Sequence, residues 1–167
     1  MAAVMIRALD EEDWATLRLL RLAALADSPD SFGPTVAMAL EQPEGYWRGW
    51  ARGRTGRVQA WAAFRGAEAV GLISAGVPHA GVGHLGALWV AAEARNGGLA
   101  SRLLETAAEW CAAQGCSRVE FEVTEGNPAE RLYERLGYRR TGAKKPLREG
   151  SALFEATMAR EIRRETA

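Results

Sequence analysis

The sequence predicts a mixed α/β chain of the α+β class, and three observations carry that expectation. Residues 84–90, 101–114 and 117–124 read as strand, helix and strand. A strand–helix–strand run of about forty residues implies a parallel pair joined by a right-handed crossover. Upstream, residues 58–64 and 69–77 flank the turn Arg65-Gly66-Ala67-Glu68 and read as an antiparallel hairpin. Parallel and antiparallel pairs in one chain of 167 residues point to one domain, residues 1–167, with a sizeable core.

Residues 3–9 read as the first strand. Asp10 then looks like an N-cap, with Glu11, Glu12 and Asp13 complementing the positive end of a helix that runs to about Ala26. Asp27-Ser28-Pro29-Asp30-Ser31 is a breaker cluster. Short helical pieces follow at 34–40 and 43–52. The second carries Tyr46, Trp47 and Trp50 on one face, which serves either as a core stripe or as an aromatic wall of a binding pocket. Residues 78–83 read as a loop.

Leu99, Leu103, Ala107 and Cys111 recur at four-residue spacing on the central helix, and Gly115 is its natural stop. In the strand after it, Val119, Phe121 and Val123 face one way and Arg118, Glu120 and Glu122 the other. Asn127 suits an N-cap and Pro128 the first helical position, with Ala129, Leu132, Tyr133 and Leu136 as the apolar stripe and Gly137 as the end. Residues 138–143 read as a strand, 144–150 as a loop and 151–158 as a last strand. From Ala159 the charged tail is expected to fray.

Composition narrows the function classes. An apolar share of 48% excludes a disordered chain. Twenty-one basic residues balance 21 acidic ones, without the basic excess of a nucleic-acid binder. No apolar run reaches the length of a membrane span, and the first residues lack a secretory pattern, so a cytoplasmic protein without a membrane partner is expected. Cys111 and Cys116 lack metal-ligand spacing and read as reduced, buried residues; no metal site is expected.

The segment between the strand at 84–90 and the central helix carries the chemistry. Gly97 and Gly98 allow positive φ and close approach of a ligand to the backbone. The free N–H groups of the helix start and its dipole make an anion site that suits phosphate. Arg95 adds a cation beside it. Neither a Walker loop nor a dinucleotide fingerprint is present.

Arg95-x-x-Gly98-x-Ala100 after a hydrophobic strand resembles the Q/R-x-x-G-x-G/A motif of the GCN5-related N-acetyltransferases (GNAT). Downstream, Asn127-Pro128-Ala129-Glu130-Arg131-Leu132-Tyr133, continuing to Gly137-Tyr138, is similar to that family's N-x-A-x-x-L-Y-x-x-x-G-F/Y segment. The resemblance covers residues 84–140 by motif and the rest by order of elements. It implies a central twisted mixed sheet of about six to seven strands with helices on both faces. It also implies acetyl-coenzyme A (acetyl-CoA) as cosubstrate and an amine as acceptor; dimers are common in the family.

By the same resemblance, Arg95, Asn96, Gly97, Gly98, Leu99, Ala100 and Ser101 would hold the pyrophosphate. Leu88, Trp89 and Val90 would pair with the pantetheine arm, and Asn127 would bond it. Tyr133 would protonate the departing thiolate, where the bare stripe suggests only a core tyrosine. His84 lies where a base is expected, or is a loop-edge histidine satisfied by a nearby backbone group. Glu120 and Glu122 are weaker candidates for the base, since an exposed strand face carries such charges, and His79 is weaker still. The aromatic segment from Phe32 to Trp50 would build the acceptor site. The expected reaction is direct transfer to a primary amine of a small molecule. A protein N-terminal or lysine acetyltransferase is the alternative, and a non-catalytic acetyl-CoA sensor is the reading of another class.

Overall fold

The alternating segments come together as one seven-stranded mixed sheet in the computed structural model, which describes residues 3–53 and 57–162. The strands are β1 (Val4–Ala8), β2 (Val58–Arg65), β3 (Glu68–His79), β4 (Val82–Val90), β5 (Arg118–Thr124), β6 (Arg139–Pro146) and β7 (Phe154–Glu161). Their order is β1-β2-β3-β4-β5-β7-β6. Only β4 and β5 run parallel. The helices are α1 (Trp14–Asp27), α2 (Val36–Leu40), α3 (Glu44–Arg52), α4 (Leu99–Ala113) and α5 (Glu130–Arg135).

The two-residue period of the strands divides the core into two layers. On β2, Ala60 and Ala62 join Leu17, Leu20, Leu25 and Trp47 of α1 and α3. Their neighbours Trp61 and Ala63 join the opposite layer, where α4 lays Leu99, Leu103, Leu104, Ala107 and Cys111 over Ile73, Leu85, Val119 and Phe121. The four-residue stripe of α4 and the alternation of β5 thus bury the residues expected of them.

Asp10 caps a single 3-10 turn rather than α1 itself. Its carboxylate accepts from Glu12 N, and Asp13 reaches back to Asp10 N, a reciprocal box that leads into α1 at Trp14.

Four segments differ from the sequence reading. Residues 78–83 are no loop: β3 runs through His79, the chain turns at Ala80 and Gly81, and β4 begins at Val82. Lys144, Lys145 and Pro146 belong to β6, whose residues are all exposed at the sheet edge. Lysine and proline mimic a loop here because an edge strand uses them to discourage further pairing. The last strand starts at Phe154 because Ser151 Oγ accepts from Leu153 N and turns the chain. Finally, Ala159 and Arg160 do not fray. They pair with Glu120 and Val119, and Arg160 Nη1 lies 2.6 Å from Glu105 Oε1; residues 163–167 fall outside the described residues.

The feature that positions the site is a fork between β4 and β5. Their parallel ladder has three rungs, Val82↔Arg118, Gly83↔Val119 and His84↔Glu120. Beyond His84 each strand keeps only its outer partner, β3 or β7. Register marks the cause: between the pairs Ser74↔Gly86 and Leu72↔Trp89, Ile73 faces two residues of β4, and Ala87 adopts φ 56. Such a bulge bends a strand away from its neighbour.

Close packing of α4 on the closed end of the fork holds it together. A Cβ at Gly83 would lie 2.5 Å from Cys111 Sγ, and the Cys111 thiol, pushed up to about 12 by burial, behaves as an apolar filler. Gly83→Ala should destabilise the fold by about 1–3 kcal/mol through overpacking, read as a lowered midpoint in urea unfolding with an unchanged slope.

Candidate active site

A cleft of about 910 Å³ occupies the fork. Its lining runs from the segment 94–101, past Leu88–Val90, Asn127 and Tyr133, to His84 and Glu122. Every candidate cofactor-binding residue named from the sequence except Gly97 lines it.

At one end the backbone builds an anion cradle. Asn96 and Gly98 take φ 66 and φ 80, and α4 begins at Leu99 with no side chain capping it. A Cβ added at Gly97 or Gly98 would meet nothing within 4 Å, so the backbone faces open space. The uncapped N–H groups and the helix dipole therefore remain available to an anion. Arg95 does not reach out alone. Its Nε donates to Val90 O at 2.9 Å and its Nη2 to Asp27 Oδ2 at 2.6 Å. The same carboxylate accepts from Trp89 Nε1 and Ser28 Oγ, and together with Arg95 they hold its pKa down to about 2. Arg95 thus ties the end of α1 to the cradle.

At the other end His84 sits on the last rung of the fork. Its Nε2 lies 2.7 Å from Glu122 Oε2 on β5. The parallel register sets His84 opposite Glu120, and Glu122 is the next residue on that face. This bond raises the His84 pKa above 6.5 and lowers that of Glu122. Glu120 is engaged by Arg118 at 2.8 Å, and His79 stands exposed at the end of β3. Of the weaker candidates, both glutamates lie near His84, and Glu122 is the one bonded to it.

Tyr133 projects from α5 edge-on to Phe121, with ring centroids 4.8 Å apart, and burial pushes its phenol up to about 12. Asn127 starts this segment: its Oδ1 accepts from Ala129 N, and α5 proper begins at Glu130. The predicted cap therefore acts three residues before the regular helix, on the turn that contains Pro128.

A loop between α1 and α2 bridges the fork. Thr124 Oγ1 donates to Asp30 O at 2.5 Å. Arg148 grips the same loop from the β6–β7 connection, donating to Pro29 O, Phe32 O and Gly33 O. Arg148 had no signal in the sequence beyond its charge, because its partners are three backbone carbonyls more than a hundred residues away. The aromatic face of α3 divides: Trp47 is core, while Trp50 stacks on it and lines a smaller recess of about 270 Å³ beside His84 and Gly86.

With this geometry in view, comparison with known proteins is informative. Residues 21–138 match the family model of the acetyltransferase (GNAT) family, and the chain belongs to that family of acyltransferases. Among solved structures it is similar to yncA of Salmonella typhimurium, solved with its cofactor acetyl-CoA, at 17% identity over 99% of this chain and 98% of that one, with a TM-score of 0.79. It is also similar to RimJ of Mycobacterium smegmatis in complex with CoA-disulfide, at 24% identity, covering 96% and 83% of the two chains, TM-score 0.74. A third is the ribosomal-protein-alanine N-acetyltransferase of Brucella melitensis, at 23% identity, covering 95% and 99%, TM-score 0.73. None of the curated proteins compared matches the chain.

The His84–Glu122 bond predicts a pH signature. An imidazole accepts a proton only when neutral, so activity that depends on it rises with pH through a pKa above 6.5. Glu122→Gln removes the cause of the upward shift. The alkaline-rising limb of kcat/KM should move to lower pH, and the His84 ring resonances should titrate nearer 6.5 by NMR.

Proposed function

We propose that this chain transfers the acetyl group of acetyl-CoA directly to a primary amine of a small molecule, with His84 as base and Tyr133 as acid. The observation that carries this reading is the fork itself. One cleft is lined by the open anion cradle, by Tyr133 and by His84, and this shared lining supports the reading.

The residues present fit acetyl-CoA. The uncapped start of α4 and the open backbone at Gly97 and Gly98 suit a pyrophosphate. The inner edge of β4 from Leu88 to Val90 has no strand partner on the cleft side among the described residues, although Val90 O accepts from Arg95, and it suits an extended amide-bearing arm, as in strand addition. Bound there, acetyl-CoA supplies an acetyl thioester.

His84 prepares the acceptor. An ionised Glu122 can only accept, so Nε2 carries the proton in that bond and Nδ1 keeps the lone pair. Nδ1 takes a proton from the ammonium group, and the freed nitrogen lone pair forms the new N–C bond. The C–S bond of the thioester then breaks: Tyr133 gives its phenolic proton to the departing sulfur, and the second proton lost by the new amide nitrogen restores the phenol. Burial favours the neutral phenol, so the proton is present at physiological pH. Neither cysteine takes part: both thiols are buried beneath α4 and form no disulfide. Reduced thiols support a cytoplasmic setting.

The strap of residues 28–34, pinned by Thr124 and Arg148, narrows the acceptor side. This favours a small amine over a polypeptide. Thiol release from acetyl-CoA, measured against pooled small amines and against N-terminal peptides, tests the choice; release with peptides alone overturns it. With a responsive amine, Tyr133→Phe should lower kcat by about 100-fold while leaving acetyl-CoA affinity near wild type. Gly98→Asp should weaken acetyl-CoA binding by at least about tenfold in calorimetry, since a carboxylate would enter the cradle at a residue held at φ 80.

A further inference from the structure

One cation in the proposed acceptor region pairs with no carboxylate among the described residues. Arg21, on the face of α1 toward the sheet, lines both the main cleft and the smaller recess that holds Trp50 and His84. Its guanidinium lies over the Phe32 ring at 5.0 Å and the Trp50 ring at 5.8 Å. Trp50 is itself held by Nε1 donating to Ser74 Oγ at 2.9 Å. Arg21 Nη1 is buried and makes no hydrogen bond among the described residues. Two other buried side-chain atoms share that condition, Trp47 Nε1 and Tyr138 Oη, but both belong to neutral core residues. Desolvation lowers the Arg21 pKa, so the site presses on the charge without neutralising it.

A planar donor fork, pinned between two rings and left unpaired in a cavity, is suited to a carboxylate. The base shares both cavities with it. We infer that Arg21 binds the carboxylate of the acceptor, so that the amine acetylated at His84 belongs to an amino acid. The inference rests on the small-amine reading above. Phe32 and Trp50 flank the fork and give the rest of the acceptor an apolar, aromatic surface.

Three matched pools separate the readings: the L-amino acids, their amides, and the corresponding decarboxylated amines, each assayed for thiol release from acetyl-CoA. The expected result is a preference of at least tenfold in kcat/KM for the free acids, lying in KM. Arg21→Met should collapse the ratio of acid to amide toward one. Arg21→Lys, which keeps the charge without the fork, should keep part of it. The thermal midpoint of Arg21→Met should be equal to or above wild type, because the variant removes an unpaired buried cation. Equal use of acids and amides by the wild type, or an unchanged ratio in Arg21→Met, overturns this inference and leaves acetyl transfer standing. Transfer to none of the three pools overturns the small-amine reading together with the inference built on it.

Discussion

The structure depends on a ladder that stops after three rungs. Two parallel strands side by side would normally continue to pair, and each unmade backbone bond in a buried place costs roughly 1–3 kcal/mol. Here β4 and β5 run on past His84 and Glu120 without bonding each other. The fold tolerates this because each strand is satisfied along its outer edge, by β3 and by β7, while the inner edges face a cleft rather than a core. Bulge residues Ala87 and Leu88 turn β4 out on one side. On the other, Phe121 of β5 meets Tyr133 and Tyr138 edge-on, each with centroids 4.8 Å away. The aromatic cluster beside the cleft therefore contains the proposed acid, and packing on Phe121 positions its phenol.

The helical layer over β2 and β3 is coupled to the cleft at one residue. Asp27 ends α1, where the dipole disfavours an anion. It persists there because Trp89, Ser28 and Arg95 all donate to one of its oxygens. Of these donors Trp89 comes from the end of β4 and Arg95 from the cradle, so α1 is located relative to both. The strap that follows Asp27 is then pinned at Asp30 by Thr124 and at three carbonyls by Arg148. Cradle, strap and α1 form one connected frame around the cleft, and Arg21 is carried by the same helix.

Local features of this design were legible in the sequence. The glycine pair, the amphipathic α4 and the alternation of β5 are short-range patterns, and the helix and strand they announce form where expected. Tyr133 and Asn127 were identified by a motif within a few residues of each other. Three other features were hidden because they depend on distances the sequence does not show. The partnership of His84 with Glu122 spans 38 residues and follows only from the β4–β5 register. The grip of Arg148 is made on backbone carbonyls, which leave no side-chain signature. Likewise β6 looked like a loop, since Lys144, Lys145 and Pro146 answer to the needs of a sheet edge rather than to strand propensity.

The charges around the cleft form an ordered series, and the order bears on what the cleft can hold. The cradle is positive through backbone dipoles. In the middle, Glu122 is ionised and bonded to His84, and nearby Glu155 is raised by burial and partly offset by Lys145 at 3.5 Å. On the proposed acceptor side stands Arg21, whose Nη1 has no hydrogen-bond partner among the described residues. An amine without a second charge would meet attraction at the glutamates and repulsion at Arg21. A zwitterion oriented with its ammonium group toward His84 and its carboxylate toward Arg21 would meet attraction at both. Keeping a buried cation without a partner costs stability that a neutral side chain would not. A binding site is the setting in which that cost is recovered, when the missing partner arrives with the substrate.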